Sequence, residues 1–185
     1  VTDPDSGRDI YIAADRASTY GVYEEKARLP GRELVGRKYE PLFPYFADQV
    51  GQGAFVVVAD DYVSTESGTG MVHQAPAFGE DDYRILRDHG IEAFACPVTV
   101  HGEFTEEVDD FAGQHVKNAD KDIILYLKDR GALFRQETIQ HSYPYCYRSD
   151  TPLIYRAIPS WYVNVTSIKD KLINANEQIR WVPNH

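Results

Sequence analysis

Between residues 68 and 83 the chain reads Gly68-Thr69-Gly70-Met71-Val72-His73-Gln74-Ala75-Pro76-Ala77-Phe78-Gly79-Glu80-Asp81-Asp82-Tyr83. These types, in this order, suit the holding of a small charged group. Glycine has no Cβ, so Gly68 and Gly70 allow backbone beside Thr69 to approach a ligand closely. His73 ends a short apolar run, and a Pro-to-Gly turn then leads to three carboxylates where a helix would begin. Acids so mounted face the same space as the end of the run. Each feature also has a plainer reading. The glycines can belong to a hairpin and the histidine to a core, while acids in a first helical turn satisfy unpaired N–H groups. It is their ordered combination that points to a site.

The elements that must position these residues can be sketched from periodicity and punctuation. Val1–Gly7 reads as a hairpin turn, Arg8–Ala13 as a strand without a partner, and Ala14–Lys26 as a helix weakened by Thr19, Tyr20 and Gly21. Leu34–Phe46 is extended and broken by proline, and Ala54–Ala59 is a buried strand. Met71–Gln74 is the next strand. Glu80–His89 is a short helix stopped by Gly90, with acids at its start and His89 at its end, as the helix dipole prefers. Phe94–Val100 is a further strand. Gln114–Arg130 is the clearest helix, with Val116, Ile123, Ile124 and Leu127 on one face and Gly131 beyond it. Leu133–Val165, dense in Tyr and Pro, reads as β structure, and Ile168–Ala175 as a short helix. The fold class expected is mixed α/β, rich in β, with helices between the strands.

The whole-chain totals narrow the choice of function. A length of 185 residues gives one domain, or one domain with a tail. No stretch approaches the roughly 20 apolar residues of a membrane span, and the polar N-terminus is no signal or transit peptide. Two cysteines, Cys96 and Cys146, give no disulfide framework and no four-sulfur zinc site, and they suit a reducing compartment. A formal charge of -10 argues against a general nucleic-acid binder, so any RNA contact must be local.

Two other constellations stand out. Cys146-Tyr147-Arg148-Ser149 resembles half a metal site without a second half, and a small buried residue in a strand is the simpler reading of Cys146. Tyr143, Tyr145, Tyr147 and Tyr155 with Arg148 and Arg156 offer either stacking and cationic surface to a single-stranded RNA end, or an amphipathic β surface.

The segment from Gly68 to Tyr83 resembles the editing motif of isoleucyl-tRNA synthetases. So do the runs His141–Tyr155, Pro159-Ser160-Trp161-Tyr162-Val163 and Ile179–His185, in the same order along the chain. Ser149-Asp150 resembles the eukaryotic cytosolic type, and His-Gln-Ala-Pro separates the chain from valyl and leucyl relatives. The His-Ile-Gly-His and Lys-Met-Ser-Lys-Ser signatures of the catalytic core do not occur. The resemblance is therefore to the inserted editing domain (connective polypeptide 1), a β-barrel-like domain of class I Val/Ile/Leu synthetases with helices around it. It implies an editing domain over residues 1–165, lacking its first strands and its Thr-rich wall. Residues 166–185 would lead back toward a catalytic core absent from this chain.

The resemblance also implies a function. This is hydrolysis of mischarged valyl-tRNA(Ile), with no aminoacylation by this chain alone. Asp82 would anchor the substrate ammonium and His73 would border the side-chain pocket, the two forming the catalytic pair. Gly68, Thr69, Gly70, Ala75, Phe78 and Gly79 would bind substrate. No metal or cofactor is implied for editing; ATP and magnesium belong to the parent enzyme's core. The implied partners are the acceptor end of tRNA(Ile) carrying valine and the rest of the synthetase chain. The chain itself would be monomeric, off the membrane and cytoplasmic. Two alternatives stay open: a non-catalytic tRNA-docking module, and a hydrolase holding a hard cation with His73, Asp81 and Asp82.

Overall fold

The computed structural model describes residues 1–3, 5–21 and 24–183. Its regular structure is helical, and the β-rich expectation does not hold. Among the described residues no strand forms, and pairing is limited to isolated bridges such as Lys38 with Val56 and Val98 with Phe104. Alternation of apolar and polar residues makes a segment able to pair but does not supply a partner or a register. The run Ala54–Ala59 shows the result. Tyr39 and Val57 amides bond across to Phe55 and Arg37 carbonyls, but Phe55 sits at φ 59 and the ladder stops there. The run is half-buried rather than buried. Phe94–Val100 and Leu133–Val165 likewise form no strand, and are held at single bridges or by bonds to turns.

In the expected N-terminal hairpin turn, whose Pro4 lies outside the described residues, the Asp3 carboxylate accepts from the Ser6 hydroxyl at 2.5 Å and its amide at 3.2 Å. Arg8–Ala13 gains one bridge, Asp9 to Thr2. The expected helix Ala14–Lys26 is instead a 3-10 segment, Ala14–Tyr20, ended by Gly21 at φ 106. Val22 and Tyr23 of that expectation lie outside the described residues.

The other helices agree closely with the reading of the sequence. Helix α1, Glu80–Asp88, carries Glu80, Asp81 and Asp82 in its first turn and hands over through His89 to Gly90 at φ 67. Helix α2, Val116–Asp129, starts one residue after His115, whose Nδ1 accepts the Lys117 amide at 3.3 Å. This cap replaces the Ser, Thr, Asp or Asn usual at that position. Helix α3, Lys169–Glu177, is exposed along its whole length.

One apolar cluster organises the centre of the chain. Val108, Phe111 and Ala119 are buried, with Phe43, Tyr45, Phe46, Phe104 and Ile123 packed around them. Ala119 is fully buried at 0% exposure, so α2 meets the cluster through a residue small enough for close approach. Phe43 stacks on Tyr45 and Tyr126 at centroid distances of 5.6 and 4.9 Å. Aromatic rings thus supply much of the buried area that a sheet would otherwise provide.

Candidate functional site

Residues 75–82 fold into one local unit. The Phe78 amide bonds to the Ala75 carbonyl at 2.8 Å, closing a turn with Pro76 second, where its fixed φ favours turning. Ala77 is 1% exposed in that turn. Gly79 is the N-cap of α1 but has no side chain to cap it. Asp82, at the third helical position, reaches back past the helix start without capping its amides. Its Oδ2 accepts the Ala75 amide at 3.0 Å. A Cβ on Gly79 would lie 2.8 Å from Oδ2 and 2.9 Å from the Cγ of Asp82, so glycine is what lets the carboxylate lie there. Ala75, Gly79 and Asp82 are therefore brought together, with Phe78 in the same turn. Among the described residues no protein donor reaches the second oxygen of Asp82.

The other sequence-derived site residues lie differently. The glycine loop is fastened to the N-terminal segment: the Thr69 carbonyl accepts the Ala13 amide at 2.7 Å, and the Arg16 guanidinium donates to the Gly68 and Glu66 carbonyls. Gly70 sits at φ 79, with its missing Cβ 2.6 Å from that of Ala13. Close packing against protein uses the freedom that the sequence suggested for a ligand. His73 is exposed on extended backbone and forms neither a hydrogen bond nor an ion pair with Asp82. Gln74 donates to the Tyr62 hydroxyl at 2.5 Å, while its buried Oε1 has no partner among the described residues.

Glu80 and Asp81 face away from this unit. With Tyr83, Arg84, Arg87 and Asp88 they line an open hollow of about 490 Å³ on the outer side of α1, which takes in neither His73 nor Asp82. Arg84 is its hub, donating to both Asp60 oxygens at 3.0 and 3.1 Å and pairing with Asp81 and Asp88 at 3.6 and 3.4 Å. The Arg84 guanidinium and the Tyr62 amide hold the Asp60 carboxyl below its usual range. Nothing in the spacing of residues 60 and 84 announces this pair, because it joins a turn to a helix across a bend in the chain. Among the described residues no three of His, Cys, Asp and Glu converge as metal ligands, so His73, Asp81 and Asp82 do not form a hard-cation set.

The second aromatic and cysteine region departs from its simpler reading. Cys146 is not a buried strand residue; it is a half-buried free thiol opening a turn that spans to Thr151. The Ser149 hydroxyl, with the Ser149 and Arg148 amides, holds that thiol below its ordinary range. Arg156 is tied to the Val98 carbonyl at 2.8 Å and so leaves the exposed cationic set.

No family model matches the chain. It is 60% identical to an isoleucine--tRNA ligase of Bdellovibrio bacteriovorus over 190 residues, which take in all of this chain and 18% of that protein. It is 53% identical to the cytoplasmic isoleucine--tRNA ligase of Arabidopsis thaliana and 52% identical to that of Mus musculus, over 88% and 87% of this chain. The chain belongs to the isoleucine--tRNA ligase family. It corresponds to one segment of these enzymes, spanning 13–18% of the length of the relatives named here. The ligase relatives include both bacterial and cytoplasmic eukaryotic proteins. Among the described residues no helix is long and apolar enough to cross a membrane.

Proposed function

We propose that this segment serves a cytoplasmic isoleucine--tRNA ligase as its editing hydrolase, cleaving valine from wrongly charged tRNA(Ile). The observation that carries the reading is the Asp82 carboxylate. One oxygen is pinned to the Ala75 amide over Gly79, and the other has no protein donor. A synthetic pocket for isoleucine discriminates poorly against valine, the standing example of a limit of about 1–3 kcal/mol per missing methylene. A second, tighter cavity removes the error.

An aminoacyl ester carries an ammonium next to its carbonyl, and fixing that ammonium aims the carbonyl at a water. Hydrogen bonds to charged groups contribute about 1.5–3 kcal/mol, so a half-committed carboxylate is a suitable anchor. In this reading His73 bounds the side-chain cavity, and Ala75, Phe78 and Gly79 line it. The Gly68-Thr69-Gly70 loop supports its far wall through the bonds to Ala13 and Arg16. The terminal ribose hydroxyl of the tRNA assists the water, and the hydrolysis uses no cofactor; ATP and magnesium serve aminoacylation elsewhere in the ligase. Residues 1–165 form the editing unit, and 166–185 lead toward the remaining synthetase chain. The exposed Trp161-Tyr162-Val163 run supports contact with that chain.

The test is deacylation of valyl-tRNA(Ile) by a complete ligase carrying this segment. Asp82→Ala is expected to abolish it, and Asp81→Ala, which removes one exposed ion pair, to leave it nearly intact. Equal damage from both changes would move the anchor to the outer face of α1. His73→Ala is expected to relax discrimination, read as new hydrolysis of isoleucyl-tRNA(Ile). An unchanged rejection of isoleucine would reduce this histidine to a surface residue.

A further inference from the structure

The turn at residues 60–63 fastens together the helix that carries Asp82 and the motif that carries His73. The Val63 amide closes it on the Asp60 carbonyl at 3.3 Å, and the Tyr62 amide bonds to the Asp60 carboxylate at 3.1 Å. That carboxylate also accepts from both terminal nitrogens of Arg84 on α1, at 3.0 and 3.1 Å. Just before the turn, the Ala59 carbonyl accepts from Nε2 of His89, at the far end of the same helix, at 3.1 Å. On the other side the Tyr62 hydroxyl accepts from the Gln74 amide at 2.5 Å, and Gln74 lies between His73 and Ala75.

These bonds close a circuit. Asp82 is tied to Ala75, Ala75 follows Gln74, and Gln74 reaches Tyr62. Tyr62 is fixed on Asp60, which grips Arg84, two residues along α1 from Asp82. A helix held at one point can pivot about it. The Asp82–Ala75 bond is such a point, and the path through Tyr62 adds a second that removes the pivot. Folding alone gives little reason for a glutamine at 74. Its Oε1 is buried without a partner among the described residues. A buried acceptor left unmet is unfavourable, and an apolar side chain of similar volume avoids it. What glutamine offers over methionine here is the hydrogen bond to Tyr62.

We propose that Tyr62 and Gln74 are positioning residues for the hydrolysis, locking α1 against the motif so that the second Asp82 oxygen keeps a fixed place relative to His73. This deepens the editing reading and rests on it. Neither residue touches the reacting atoms; each acts through Asp82 and His73, by keeping the ammonium anchor in line with the cavity.

The experiment is single-turnover deacylation of valyl-tRNA(Ile) by a complete ligase carrying this segment, with thermal melting measured on the same variants. Gln74→Met and Tyr62→Phe each remove the bond and keep the bulk. Both are expected to lower kcat about tenfold, leave KM near that of the parent and leave the melting temperature unlowered. The double variant is expected to be no worse than either single change, since one bond is lost in all three. Parental kcat in both variants, while Asp82→Ala abolishes hydrolysis, overturns this proposal and leaves the editing reading standing. Activity that falls only in step with melting temperature, or a double variant that multiplies the two defects, overturns it as well. A parent ligase without the hydrolysis, or one indifferent to Asp82→Ala, overturns the editing reading and this inference with it.

Discussion

Asp82 does two things with one carboxylate. It lies back over Gly79, in the space a Cβ there would fill, and it fixes the 75–78 turn by accepting the Ala75 amide. A carboxylate held in this way keeps its orientation without help from substrate, which is the kind of preorganisation that positions a reacting group. Gly79 is the residue that permits it. Its backbone is extended at φ -151, so alanine is conformationally acceptable there and only the carboxylate is in the way. Gly79→Ala is therefore expected to lower valyl-tRNA hydrolysis by roughly 10- to 100-fold. The melting temperature should stay near that of the parent. Unaltered hydrolysis would mean that the placement of Asp82 is not used. Gly70 is the contrasting case, since its positive φ and its contact with Ala13 both serve packing.

At the level of elements, α1 is fastened from two sides. Asp82 ties its start to the preceding turn, and Arg84 ties its outer face to Asp60. Because the Asp60 carboxyl titrates lower in the folded chain than in the unfolded one, the unfolded chain binds more protons across that interval. The contribution is complete above the unfolded carboxylate range, near about pH 4, and is lost as pH falls through the lower folded value. Asp60→Asn should thus flatten the acid limb of stability, seen as a urea midpoint that falls less steeply between neutral and acid pH. Equal steepness in both proteins would show that Arg84 gives Asp60 no preference for the folded state. For α2 the cap is an imidazole nitrogen, and His115→Ala is expected to cost about 1 kcal/mol in urea denaturation, with His115→Asn recovering most of it.

Among the described residues one aromatic-rich cluster lies in the middle of the chain, and most of the C-terminal third is exposed. Trp161 is 102% exposed and Trp181 56%, and these are the chain's two tryptophans. Their emission is expected to resemble free indole in water and to be quenched fully by acrylamide. A blue-shifted, protected signal would show that this arm folds onto something in solution. The sequence alone determined the helices α1 and α2, the capping glycines and the ordered motif around residues 68–83. These depend on neighbours within a turn or two, where propensity and punctuation act directly. It also determined the family, because order and residue type along the chain are enough for that. It did not determine whether extended segments would pair, since a ladder needs a partner at a matching register and Phe55 leaves the extended region inside the most apolar run. Nor could it say that Gly70 meets Ala13, that Arg84 meets Asp60, or that the carboxylate singled out at Asp82 lies back over Gly79. Contacts between residues far apart, and the facing of adjacent acids on one helix, are fixed only when the chain closes on itself in space.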